Sequence, residues 1–329
     1  MAAAPVFESF GDFYARFPHE VHFMGVMFVM VIAYVVGKQH NSLLAKTTMG
    51  VMLDLFRQNF ARIGDGGADL IIDTPNEYII YLTGRRHVEC VHGTIKMRPR
   101  QDLLRTIFSL VSGTSDDYVT FNVTMKQNEY SDGVFAVVPK TSGVAIRNRF
   151  FDIQRFTKAS NHSALDESLI ALTESNELSS AILPLVVDKL NESAKWLNYF
   201  IVSDQPTHKP EGLTKEPATK RISLSFKLPQ RKSMYEIRPL AEALIACLDG
   251  LPTKCHVTPI AKGKIAKARE ELYAEYEKKE QEKRAKELQE RRQREKKEAE
   301  ASMSASAQRK LAAKEEKRAQ MKRQKVVRQ

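Results

Sequence analysis

Only three cysteines occur in 329 residues, Cys90, Cys247 and Cys255. An odd count without metal-like or paired spacing fits neither a disulfide framework nor a zinc ribbon, and it points to a reducing, cytosol-facing setting for most of the chain. Gly-rich phosphate loops, H-E-x-x-H helices and G-x-S-x-G elbows are missing too, so an enzyme reading has no residues to stand on. Gly64-Asp65-Gly66-Gly67 lacks the preceding strand and the following Lys-Ser/Thr of a phosphate cradle, and reads instead as the turn that ends a helix. On a strand Cys90 and His92 share a face while His87 points away, which leaves a zinc site short of ligands. No catalytic, cofactor-binding or metal residue is assigned. Glycine and proline are missing altogether from Lys264 onward, which excludes a turn-rich domain there.

What is present is an uneven distribution of charge. The chain carries a formal +11, from 51 Lys+Arg against 40 Asp+Glu. From Lys262 to Gln329 there are 23 basic and 13 acidic residues, so this arm alone holds +10 and the remainder is nearly neutral. A neutral body with one basic arm reads as a contact with a polyanion: nucleic acid or an acidic membrane surface.

Residues 21–37 form a 17-residue run without Asp, Glu, Lys or Arg. That is at the short end of what a bilayer core of about 30 Å demands. Pro18 precedes the run, Lys38 and His40 follow it, and no small-residue cleavage site is evident, so an uncleaved anchor is expected. Arg16 lies among Glu8, Asp12 and Glu20 on one side, and Lys38, Lys46 and Arg57 lie on the other. Positive-inside then makes residues 1–20 luminal and the rest cytosolic. The sequons at Asn122, Asn161 and Asn191 are therefore expected to stay bare.

Residues 47–258 read as an α+β domain with a mostly antiparallel sheet. Leu53, Leu55, Phe56, Phe60 and Ile63 suggest a helix after the anchor. Strands are expected at 77–84, 87–98, 118–125, 133–138 and 221–228, with 133–138 following 118–125 across a polar turn. Gln101–Val111 reads as a short amphipathic helix, and helical patterns cover 144–157, 167–174, 180–202 and 235–249, the last stopped by Gly250 and Pro252.

Residues 262–329 are rich in Ala, Glu, Lys, Arg and Gln, the strong helix formers, with Glu–Arg pairs such as 287–291 and 290–294. One charged helix is expected, or a hairpin broken near Ser302–Ser306. Apolar residues are too sparse to sustain a heptad. From Ser302 onward nine basic residues face two acids. Phosphate-backbone contacts are assigned to Arg291, Arg292, Arg294, Lys296, Lys297, Arg309, Lys310, Lys317, Arg318, Lys322, Arg323 and Lys325.

Several segments carry a family resemblance: Gly64–Gly67, Tyr81-Leu82-Thr83-Gly84-Arg85, Arg100-Gln101-Asp102-Leu103-Leu104, Phe135-Ala136-Val137, Ser203-Asp204-Gln205, Thr219-Lys220-Arg221, and the tail from Met321 to Val326. In this order and spacing the chain resembles the calumin family, coiled-coil domain-containing proteins of the endoplasmic reticulum membrane. The resemblance implies a non-enzymatic chaperone for multipass membrane proteins. Its implied partners are an Asterix-like small membrane protein, the Sec translocon channel, client transmembrane helices, and the ribosome, whose RNA would meet the basic arm. The family's long acidic luminal segment, linked to calcium binding, has no counterpart among residues 1–20, which hold three acids. Alternative roles are calcium homeostasis, or a membrane-anchored tether for anionic lipid or a helical partner.

Overall fold

The computed structural model describes residues 16–112, 116–126, 130–208 and 219–302, together with 11 and 14. The chain divides into two compact units, one reaching Ala268 and the other beginning at Arg269.

Helix α1 runs unbroken for 42 residues, Pro18–Asn59, with proline in its first turn, where the missing N–H costs nothing. The expected anchor and the helix after it are thus one element. From Phe23 to Val36 its large apolar side chains are exposed, 42–66% for most of them. From Gly37 on, a stripe of Asn41, Leu44, Ala45, Thr48, Met52 and Phe56 is buried at helical spacing. Ile63 lies beyond the helix, in the two-residue strand β1 (Arg62–Ile63). The Gly64–Gly67 segment is accordingly a turn after a strand and does not end the helix, which stops at Asn59. Asp65 shapes that turn: its Oδ1 accepts from the backbone N–H groups of Gly67 (3.0 Å) and Ala68 (3.2 Å). These bonds hold its carboxyl below the usual range.

The described residues hold nine further strands: β2 (Ile71–Thr74), β3 (Glu77–Thr83), β4 (Val88–Lys96), β5 (Tyr118–Met125), β6 (Phe135–Pro139), β7 (Lys158–Ser160), β8 (Leu169–Thr173), β9 (Leu197–Ser203) and β10 (Arg221–Lys227). They form one sheet in the order β1-β3-β4-β5-β10-β9-β6-β8-β7, with β2 also on β3. Every pairing among them is antiparallel. The helices after α1 are α2 (Leu103–Ser112), α3 (Gly143–Arg149), α4 (Phe151–Phe156), α5 (Asn176–Glu192), α6 (Arg238–Lys254), entered through a 3-10 turn at Arg231–Ile237, and α7 (Pro259–Ser302).

One sheet face receives the second half of α1 with α5 and α6 in the main core. Phe56 of α1 meets Phe121 of β5 edge-on at 5.7 Å, and Phe121 meets Phe226 of β10 at 6.2 Å. Such pairs contribute about 0.5–1.5 kcal/mol each beyond burial. A smaller core lies where Ala136, Leu172 and Ile201 of the sheet meet Ile146 of α3, Ile153 of α4 and Phe150 between them.

Several local expectations change. Residues 167–174 contain β8 instead of a helix, and 180–202 divide into the end of α5 and β9. Their continuous apolar runs suit a strand buried on both faces, and local pattern alone does not separate that from a helix. β6 does not pair with β5: β5 lies between β4 and β10, and β6 between β9 and β8. The helical stretch 144–157 is two short helices, α3 and α4. α6 continues through Gly250 and Pro252 to Lys254. A Cβ built at Gly250 would lie 2.5 Å from Leu185 Cδ2, so glycine there allows α5 and α6 to approach closely.

Candidate functional site where α1 enters the body

The exposed apolar half of α1 gives way to the body at Gly37. A Cβ at that position would lie 2.3 Å from the Arg100 carbonyl oxygen, so the loop before α2 rests directly on the helix backbone. One turn further, the fully buried Asn41 clamps this loop. Its Nδ2 donates to the Arg98 carbonyl at 3.1 Å and the Pro75 carbonyl at 3.3 Å, and its Oδ1 accepts from Arg100 Nη1 at 3.0 Å. Arg100 reaches on to Asp117, whose Oδ2 accepts from Nη2 at 2.5 Å and whose Oδ1 accepts from Nη1 at 3.0 Å. A two-point guanidinium–carboxylate contact fixes direction as well as distance.

Beside the clamp lies a cleft of about 530 Å³, lined by His40 and Leu43 of α1, Arg98, Arg100, Trp196, Lys227 and Arg231, with Asp116 and Asp117. The Lys227 ammonium, 2.7 Å from Asp116, holds that carboxyl below its usual range, and Arg98 adds to the effect at 3.4 Å. The cleft therefore offers several cations, two committed carboxylates and an apolar wall. Its residues come from segments distant in sequence, and apart from Arg100, which opens one of the resemblance segments, no local motif marked them. Cys90 and His92, two apart on β4, are half-buried and exposed respectively. Among the described residues no group of three or more His, Cys, Asp or Glu could hold a metal ion.

Helix α7 begins inside the body, where Ala261 and Ile265 belong to the main core. Its stretch from Arg269 to Ser302 lies in the second unit. There Arg291, Arg292 and Arg294 are exposed, and Leu288 is 51% exposed. Arg291 pairs forward with Glu295 at 3.0 Å, and Arg284 pairs back with Glu280 at 2.6 Å. Neither pair is one that the sequence singled out, and each is a surface contact of small energy. Lys296 and Lys297 lie on the same helix. Arg309, Lys310, Lys317, Arg318, Lys322, Arg323 and Lys325 lie outside the described residues, as does most of the Ser302–Ser306 segment where a break was expected.

The sequence pattern of the family described as PAT complex subunit CCDC47 matches residues 16–323, from the start of α1 to the basic tail. The chain belongs to the PAT complex subunit CCDC47 family. An endoplasmic reticulum membrane protein of Schizosaccharomyces pombe (UPF0674) is 31% identical over 270 residues, covering 75% of this chain and 71% of that protein. PAT complex subunit CCDC47 of Homo sapiens is 28% identical over 243 residues, 67% of this chain and 50% of the relative. An uncharacterized Arabidopsis thaliana protein is 27% identical over 262 residues, 74% and 52%. The chain thus spans about half the length of the human and plant relatives it matches. CCDC47-family membership, with one apolar helix long enough to cross a bilayer, gives it a membrane-associated role at the endoplasmic reticulum.

Proposed function

We propose that this chain is a non-enzymatic scaffold and chaperone subunit for multipass membrane proteins, working at the endoplasmic reticulum beside the Sec translocon channel and a translating ribosome. The observation that carries the reading is the family match over 16–323, which takes in the apolar helix, the body and the charged arm together. The human relative is named as a subunit of the PAT complex. In this reading residues before α1 are luminal and the body is cytosolic. An Asterix-like small membrane protein and client helices gather around the apolar half of α1. The basic arm meets ribosomal RNA through Arg291, Arg292, Arg294 and the lysines and arginines that follow.

Backbone-phosphate contacts release counterions, so binding falls steeply with salt. Full-length protein in membranes is expected to co-sediment with ribosomes at low salt and to be released as salt rises. Deleting 302–329 removes the most basic segment while leaving Ala261 and Ile265 in the core, whereas a cut at 262 would strip Ile265 from it. Loss of co-sedimentation in the 302–329 deletion supports the reading. Undiminished, equally salt-sensitive binding of that variant refutes the role of the arm.

A further inference from the structure

α2 carries an apolar face that none of the described residues covers. Leu104, Ile107, Phe108 and Val111 are 70%, 58%, 74% and 84% exposed. They sit at i, i+3, i+4 and i+7, one stripe along a helix of 10 residues. Its start is tied down: Thr106 Oγ1 donates to the Pro99 carbonyl at 2.9 Å, and Asp102, just before the first turn, accepts at Oδ1 from the Arg105 N–H at 3.1 Å. So large an exposed apolar stripe is out of place in water.

The position of α2 identifies what covers the stripe. The helix begins three residues after Arg100, whose carbonyl rests on Gly37. Gly37 is the last residue of the uncharged run in α1 and the first buried one. Counting 1.5 Å per residue, the run from Val21 to Gly37 is about 25 Å long, close to the thickness of a hydrocarbon core, so Gly37 marks its edge. Asn41 and Arg100 hold the loop at that height through bonds of 3.0–3.1 Å. An amphipathic helix starting at this level lies among the headgroups with its apolar stripe toward the acyl chains. Arg98 in the loop before it and Arg105 in its first turn suit the phosphate layer.

We infer that α2 is an in-plane membrane helix, with Leu104, Ile107, Phe108 and Val111 seated in the bilayer leaflet on the body's side. The inference rests on α1 spanning the membrane, and the test separates the two. A single cysteine carrying an environment-sensitive fluorophore is placed in a Cys90→Ser background, since Cys247 and Cys255 are buried. Phe108→Cys reports α2, Val29→Cys the span, and Val144→Cys, on α3, the body. The full chain is reconstituted into phospholipid vesicles containing lipids with a nitroxide placed shallow or deep in the acyl chain. The label at 108 is expected to lose most of its emission with the shallow quencher and less with the deep one, while the label at 144 is unaffected. Leu104→Cys, read in the same way, replaces Phe108→Cys should that variant not fold. Quenching at 29 without quenching at 108 overturns the inference, makes the stripe a protein-docking face and leaves the span intact. Quenching at neither position removes the span and the inference together.

Discussion

Two buried thiols and one glycine show how single residues serve the body. Burial raises Cys247 well above the usual thiol value and Cys255 to about 11. The thiolate is the reactive form, so neither residue is expected to react with alkylating reagents at neutral pH while the protein is folded. Mass spectrometry after a short alkylation pulse should find label at both only after denaturation. Gly250 admits the side chain of Leu185 between two helices, and a Gly250→Val variant forces that contact apart. Overpacking of this kind costs about 1–3 kcal/mol, which thermal or urea denaturation would register as a lowered midpoint. The sequence displayed this glycine, yet a glycine followed two residues later by proline has the form of a helix stop, and only the partner helix reveals its packing role.

Between elements, the α5–α6 pair is joined on its surface by Lys189 and Glu242, 2.7 Å apart, with Arg238 at 3.2 Å from the same carboxylate. The lysine hydrogen bond holds Glu242 below its ordinary 4.5, and the same bond raises Lys189 above 10.5. A depressed carboxylate gives stability that is present above about 4.5 and lost as pH falls through the folded value; a raised lysine gives stability present below about 10.5 and lost as pH rises through its own. Lys189→Met is thus expected to cost about 0.5 kcal/mol near neutrality, discounted for exposure, with the difference from wild type vanishing in acid. Denaturation midpoints at pH 3 and pH 7 check it. Elements whose pattern is local were legible in the sequence: β3, β4, β5 and β10 alternate or sit between clear turns, and α2 shows its stripe. β8 and β9 were not, because strands buried on both faces lose the alternation that marks a strand. The pairing of β5 with β10 was illegible for a different reason: about a hundred residues separate partners such as Phe121 and Leu224.

For the whole molecule, the charge division and the apolar run were both visible in the chain. The cleft beside Asn41 was not visible, since Trp196, Lys227 and Arg231 reach His40 only through the fold. Orientation is tested by the sequons, and the structure ranks them as reporters. Asn191 is engaged on both amide atoms, with Ala164 at 2.8 Å and Asp166 at 2.9 Å, and Asn122 accepts from Ser223 Oγ at 2.9 Å. Asn161 is exposed beyond β7, so it is the acceptor a luminal enzyme would modify first. With the body cytosolic, its electrophoretic mobility should not change on glycosidase treatment; a shift abolished by Asn161→Gln reverses the topology. The unbroken run of α1 has one more outcome. A helix adapts to a thinner or thicker bilayer by changing its tilt. With no hinge between Val36 and Phe56, any such tilt is handed on to the sheet that Phe56 grips. Where α1 spans a bilayer as proposed, the body then leans as that helix leans, and local bilayer thickness becomes an angle at which the protein presents its surface.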